Sequence, residues 1–166
     1  PIRFQGGNVM RQRDLPYRLI FILSLLVMIG INGWSAMLHP DGMINGWQSI
    51  ASVVWLVGLV GSLFYIKEDK ALRLMIWYIR IGLVAALFIY GVSLLEGAFS
   101  ETIWFDGLAS VQFIFYFLFV VPLFGLNAWT DVLFGEFSLY MSVLYGIALI
   151  TLHVKVWNDA SRHLNY

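Results

Sequence analysis

The sequence predicts an all-α integral membrane protein, a bundle of five transmembrane helices with its N-terminus in the cytoplasm. Three observations carry that expectation. Of the 166 residues, 60% are hydrophobic and only 12% are charged, and the mean hydropathy is +0.80. Soluble domains carry about 25% charged residues and cannot hide so much apolar surface in one core. The apolar residues also fall into five runs, each close to the roughly 20 residues that cross about 30 Å of hydrocarbon. Finally, Lys and Arg are concentrated in the N-terminal segment and around the second connection, the pattern expected of cytoplasmic ends.

Residues 1–18 form a basic segment with Arg3, Arg11, Arg13 and Arg18. The bundle is expected over 19–154. Its first span, about 19–38, holds no charge and stops at His39-Pro40-Asp41-Gly42, a reverse-turn sequence. The second, about 47–66, ends at Lys67-Glu68-Asp69-Lys70. The third, about 74–95, contains one charge, Arg80. The fourth, about 108–126, contains Gln112 and Pro122. The fifth, about 137–154, ends near His153 and Lys155 and leaves a short tail, 155–166. None shows the two-residue alternation of an outer-membrane barrel strand. The first run is long enough to span and lacks a small-residue cleavage site, so it is expected to stay rather than be removed as a signal peptide.

With the N-terminus inside, five spans place eight basic residues inside and two outside, so the tail is expected outside. One feature opposes this. The connection "NAWTDVLFGEF" would be cytoplasmic yet carries Asp131 and Glu136 and no Lys or Arg, while the tail carries Lys155 and Arg162. A version with four spans and one late re-entrant segment would return the tail to the cytoplasm. Five spans is the reading adopted. The tryptophans fit the headgroup belts on that reading, with Trp34, Trp47, Trp104 and Trp157 at the outer boundary and Trp77 and Trp129 at the inner. The short loops and the charge bias suit a bacterial inner membrane.

Ile-Asn-Gly-Trp occurs twice, at 31–34 and 44–47, flanking the first connection. On antiparallel helices the copies run in opposite directions, so we read them as belt tryptophans beside helix ends, with Asn as a cap and Gly tolerating unusual backbone angles.

Polar groups inside a bilayer are expensive and mark candidate sites. Arg80, two turns from Arg73, is expected to snorkel to the inner headgroups, with contact to an anionic ligand or a partner as the alternative. Asn32 and Gln112 are expected to hydrogen-bond a neighbouring helix or a ligand. Pro122 is expected to kink the fourth helix and free a carbonyl. His39 and His153, each near a span end, are candidate ligands of a haem or metal, with Asp41, Glu96, Glu101 and Asp106 on the same outer side. Neutral net charge gives no basic surface for nucleic acid. The absence of cysteine excludes disulfides, thiolate metal sites and thiol redox chemistry. No carboxylate falls within a span, which argues against a proton- or sodium-coupled pump and an intramembrane acid–base hydrolase. No phosphate loop or Ser-His-Asp pattern is present.

Small residues sit four apart in the second span (Gly58, Ser62) and the third (Gly82, Ala86), spacing that suits close helix packing. The fourth span, "VQFIFYFLFVV", is bulky all round and is expected to face lipid, a lipophilic ligand or a partner.

The stretch "LNAWTDVLFGEF" (126–137), through Asn127, Trp129 and Phe134-Gly135, resembles the Asn-x-x-Trp-x-x-x-Phe-Phe-Gly segment of the tryptophan-rich sensory/translocator proteins, which are also five-helix chains. That family's early proline-rich tryptophan motif and its late Leu-x-Pro-Tyr segment are missing, and the chain is not assigned to it.

The function expected from sequence is that of an accessory or structural subunit of a larger respiratory or transport-type membrane complex, without independent catalytic activity. Its partners would be the bilayer and other membrane subunits or further copies of itself. Two alternatives stand beside it. One is a stand-alone binder or carrier of a lipophilic molecule, using Asn32, Gln112 and Pro122. The other is a haem- or quinone-binding redox subunit using His39 and His153.

Overall fold

The computed structural model describes residues 6–38, 44–65 and 69–163, and these are almost wholly helical. The order is α1 (Gly6–Leu38), α2 (Gly46–Tyr65), α3 (Asp69–Phe99), α4 (Ile103–Phe115), a π turn (Tyr116–Val120), a 3-10 segment (Val121–Trp129) and α5 (Phe134–His163). Five stretches are long and apolar enough to cross a membrane, Pro16–Leu38, Gly46–Phe64, Ala71–Phe99, Ile103–Trp129 and Phe134–Lys155. This is the composition of a multi-pass membrane protein.

Local chemistry sets the helix ends. Asn45 precedes α2, its N–H bonded by Gln48 Oε1 at 3.1 Å, one arm of a capping box. The second Ile-Asn-Gly-Trp copy is therefore a helix start. At the other end of α2, Lys155 Nζ donates to the carbonyls of Leu63 (2.5 Å) and Phe64 (3.2 Å). A cation there satisfies orphan acceptors and opposes the negative end of the helix dipole. Asp106 lies in the first turn of α4 and Glu136 in that of α5, the favourable sign at a helix start.

The helices α1, α2 and α3 run up, down and up. Ser35 meets Gln48, Ser24 meets Trp55, and Ser62 meets Met75. The finish of α1, the start of α2 and the finish of α3 thus share one end of the bundle, and the start of α1, the finish of α2 and the start of α3 share the other.

The fourth apolar segment does not continue this alternation. It leaves the α3 finish and descends along α3, Gln112 Nε2 reaching Ile89 O at 3.4 Å. It reaches the depth of Tyr78, whose hydroxyl donates to Leu118 O. The chain then changes course. Pro122 lies against Asn32 and Ser52, and Gly125 against Ser49, one turn closer to the start of α2. The segment therefore finishes at the end of the bundle where it began, and α5 starts there as well. Phe134 stacks edge-on to Tyr116 at 5.9 Å, and Gly135 packs on Ser93 near the finish of α3. From that point α5 runs antiparallel to α3, Tyr145 lying over Gly82 and Lys155 ending beside Leu63.

Five stretches are long enough to span, as the hydropathy runs predict; within the bundle, the fourth is broken midway by Pro122 and the π turn and starts and finishes at the same end. Lys155 accordingly lies at the end where α1 begins, not across from it. Among the described residues, Arg11, Arg13 and Arg18 on the first half of α1, Lys70 and Arg73 at the start of α3, and Lys155 beside the finish of α2 belong to that end, called here the basic end. The opposite end has no Lys or Arg among the described residues and carries Glu96, Glu101, Asp106, Asp131 and Glu136, and is called the acidic end.

The core also differs from the sequence reading. Val120, Val121, Leu123 and Phe124 are sealed at its centre, so the second half of "FIFYFLFVVPLFG" is interior rather than a surface. The first half keeps Phe113, Ile114 and Leu118 exposed.

Candidate functional site

The re-entrant arm exists because its backbone is satisfied by side chains from every traversing helix. Proline has no N–H and cannot bond the carbonyl four residues back, here Leu118. Val121 N–H instead reaches Tyr116 O, five residues back, which makes the π turn. Tyr78 of α3 donates to Leu118 O at 3.2 Å, and Tyr145 of α5 to Phe119 O at 2.7 Å. Asn32 of α1 donates its Nδ2 to Pro122 O at 3.0 Å, with Ser52 Oγ of α2 3.5 Å from the same oxygen. Ser49, one turn before Ser52, donates to Gly125 O at 2.7 Å. In hydrocarbon each unsatisfied carbonyl would cost several kcal/mol, so irregular backbone at that depth survives only inside protein.

Gly125 allows the closest approach in the molecule. A Cβ there would overlap the Gln48 carbonyl oxygen and stand 2.5 Å from Ser52 Oγ. The arm ends in a knot around Asn127. Its carbonyl accepts from Thr130 and Asp131 N–H, its Oδ1 accepts from Thr130 Oγ1 and Val132 N–H, and its Nδ2 donates to Val132 O. Asp131, at φ 47°, makes the left-handed step out of the arm, a conformation Asp tolerates better than most residues.

The residues singled out from sequence separate in space. Asn32 and Pro122 meet, fully buried. Asn32 also donates to Ser52 Oγ at 3.0 Å, while its Oδ1 has no hydrogen-bond partner among the described residues. Gln112 lies elsewhere, in a hollow of about 250 Å³ at the acidic end that is also lined by Glu96, Phe105 and Phe134. Arg80 is exposed on α3, its guanidinium carbon 6.0 Å from the Trp77 ring centroid, a cation–π contact one turn toward the basic end. His153 is exposed on α5, about 28 Å of helix from Phe134 at the acidic end. His39 lies outside the described residues, and Leu38 before it belongs to the acidic end. Among the described residues no three His, Asp or Glu side chains group as metal ligands.

A second, larger hollow contains none of these residues. It is a cleft of about 500 Å³ between α1 and α2, floored by Met75 of α3. Phe21, Trp55, Gly58 and Leu59 form its walls, Tyr17 and Ser62 lie toward the basic end, and Ser24 accepts from Trp55 Nε1 at 3.3 Å. The cleft opens because α2 carries Gly58 where a side chain would close it, and a Cβ at Gly58 meets nothing within 4 Å. The Gly58/Ser62 spacing was its only trace in the sequence, where it reads as a packing stripe. The other such pair does pack, Gly82 receiving the Tyr145 ring and Ala86 lying fully buried.

No protein-family profile, no curated protein and no solved structure matches this chain. The fold is that of an all-helical chain with the five apolar helices of a multi-pass membrane protein, the fourth of which turns back within the bundle.

Proposed function

We propose that the protein binds a lipophilic small molecule in the cleft between α1 and α2. The observation that carries this reading is the cleft itself. Its volume lies within the roughly 300–1,000 Å³ of small-molecule sites, and its lining is apolar with a few polar groups, the composition such sites favour. The polar cluster around Pro122 has a different task. Its donors hold backbone carbonyls, so it is a scaffold.

A second reading, an accessory subunit of a larger membrane complex, is supported by the short connections and by the bulky apolar side chains that stay exposed, Phe113, Ile114 and Leu118 among them. The membrane reading is extended in one respect. We assign both termini and the basic end to the cytoplasm, because every Lys and Arg then falls inside. Trp34, Trp47, Trp104 and Trp129, all highly exposed, then form one outer belt.

The test uses Gly58→Leu, whose Cβ meets nothing within 4 Å and whose larger side chain is added at the cleft wall. Wild type and variant are purified in mild detergent and extracted with organic solvent, and the extracts are compared by mass spectrometry. A lipophile present in stoichiometric amount in wild type and depleted in Gly58→Leu supports the reading. Equal extracts from both refute it.

A further inference from the structure

The hollow of about 250 Å³ around Gln112 lies at the acidic end, where the finishes of α1 and α3 meet α4 and the start of α5. Its interior and its mouth differ in chemistry. Phe105, Gln112 and Tyr116 are more than nine-tenths buried and form the interior. Glu96, in the last turn of α3, is exposed yet belongs to the lining, so its carboxylate stands at the mouth. The rings of Phe105, Phe113, Tyr116 and Phe134 supply the walls, Phe134 edge-on to Tyr116 at 5.9 Å. No Lys or Arg among the described residues stands at this end to neutralise Glu96.

Two acceptors are therefore open to a ligand. One is Glu96. The other is Gln112 Oε1, which accepts from no described residue while Nε2 makes only a long 3.4 Å bond to Ile89 O. About 10 Å of α3 separates Ile89 from Glu96, so the acceptors lie toward opposite ends of the hollow. A single charged head meets one of them, and the carboxylate is the one that offers charge. Aromatic walls beside a carboxylate are the combination that attracts an organic cation, through the electron-rich ring faces and the ion pair together. The volume falls below the roughly 300–1,000 Å³ of drug-sized sites, so the body must be small.

We propose that this hollow is a second binding site, independent of the cleft, for a small organic ammonium ion, its head at Glu96 and its apolar body among Phe105, Tyr116 and Phe134.

Equilibrium dialysis of the full chain in nonionic detergent, corrected for protein-free micelles, tests this. The probes are 2-phenylethylammonium and 2-phenylethanol, which share one apolar body. Wild type should bind one ammonium per chain with about fivefold preference over the alcohol, the gain from one ion pair and cation–π contact at a partly exposed site. Glu96→Gln should abolish the preference at an unchanged melting temperature, since Glu96 is exposed. Ala109→Phe, which adds bulk at the wall of the hollow, should lower binding of both probes together. Glu101→Gln and Asp106→Asn, at the same end but outside the lining, should keep the preference. A loss there equal to that of Glu96→Gln would reduce the effect to general surface charge and overturn the proposal. Equal binding of both probes by wild type refutes the cationic head, and full ammonium binding by Ala109→Phe refutes the hollow. Gly58→Leu should bind the ammonium as wild type does, whatever becomes of the cleft. Loss of ammonium binding in that variant would place the amine in the cleft and overturn the second site.

Discussion

Gly125→Ala adds one methyl group where the re-entrant arm touches α2. Gly125 does not have a positive φ, so the backbone itself accepts alanine. The obstacle is steric, because the new Cβ overlaps the Gln48 carbonyl oxygen and stands 2.5 Å from Ser52 Oγ. Neither can yield freely. The first is helical backbone, and the second is held by Asn32 at 3.0 Å. The arm must lift, and overpacking of this kind costs about 1–3 kcal/mol. Lifting also stretches the Ser49–Gly125 and Asn32–Pro122 bonds, each worth about 0.6 kcal/mol in a membrane bundle. The expected loss is therefore about 2–4 kcal/mol. Reversible unfolding in mixed micelles, followed by circular dichroism as the denaturing detergent fraction rises, reads it directly. Gly107→Ala is the control, because it lies on α4 with nothing within 4 Å of its Cβ. Relief of glycine's helix penalty should stabilise that variant by up to about 1 kcal/mol. If Gly125→Ala unfolds within about 0.5 kcal/mol of wild type, in the range of an ordinary surface change, the arm is not seated as described.

Three further outcomes are expected. The chain has no cysteine, so single cysteines at Glu101, Thr130 and Asn165 can be probed in intact cells with an impermeant thiol reagent. Positions 101 and 130 should label and 165 should not, whereas five alternating spans would label 101 and 165 and spare 130. Tyr145→Phe removes the donor to Phe119 O and should cost about 0.6–1.7 kcal/mol in the same unfolding assay; no loss would mean that this carbonyl finds another donor. Lys155→Met uncaps α2 and should cost about 0.3–1 kcal/mol, a loss that hydrogen exchange should place in the last turn of α2.

Apolar composition made the five helical stretches legible, and their centres lie where the hydropathy runs place them. Direction was not legible in the fourth. A window of apolar residues weighs composition and is blind to whether the chain goes through or returns, so Ile103–Trp129 reads as one more span. The trace that did exist was electrostatic: Asp131 and Glu136 stood in a connection with no cation, while Lys155 and Arg162 followed the last span. Pro122 pointed to a break, but not to the donors that hold it open. Those donors, Asn32, Ser49 and Ser52, lie far away in sequence, and Tyr78 and Tyr145 look like ordinary aromatic core. The cleft left almost nothing to read, since a vacancy beside Gly58 depends on how α1 and α2 splay.

The arm also fixes an order of assembly. Its carbonyls are held by Asn32, Ser49, Ser52 and Tyr78, all made before it, and by Tyr145, made after it. While α5 is still missing, Phe119 O lacks its donor, and an open carbonyl in lipid is strongly disfavoured. The newly made segment therefore waits near the interface, or crosses in a trial orientation, until α5 arrives to close over it. Helix α5, made after the arm, acts as its latch through Tyr145.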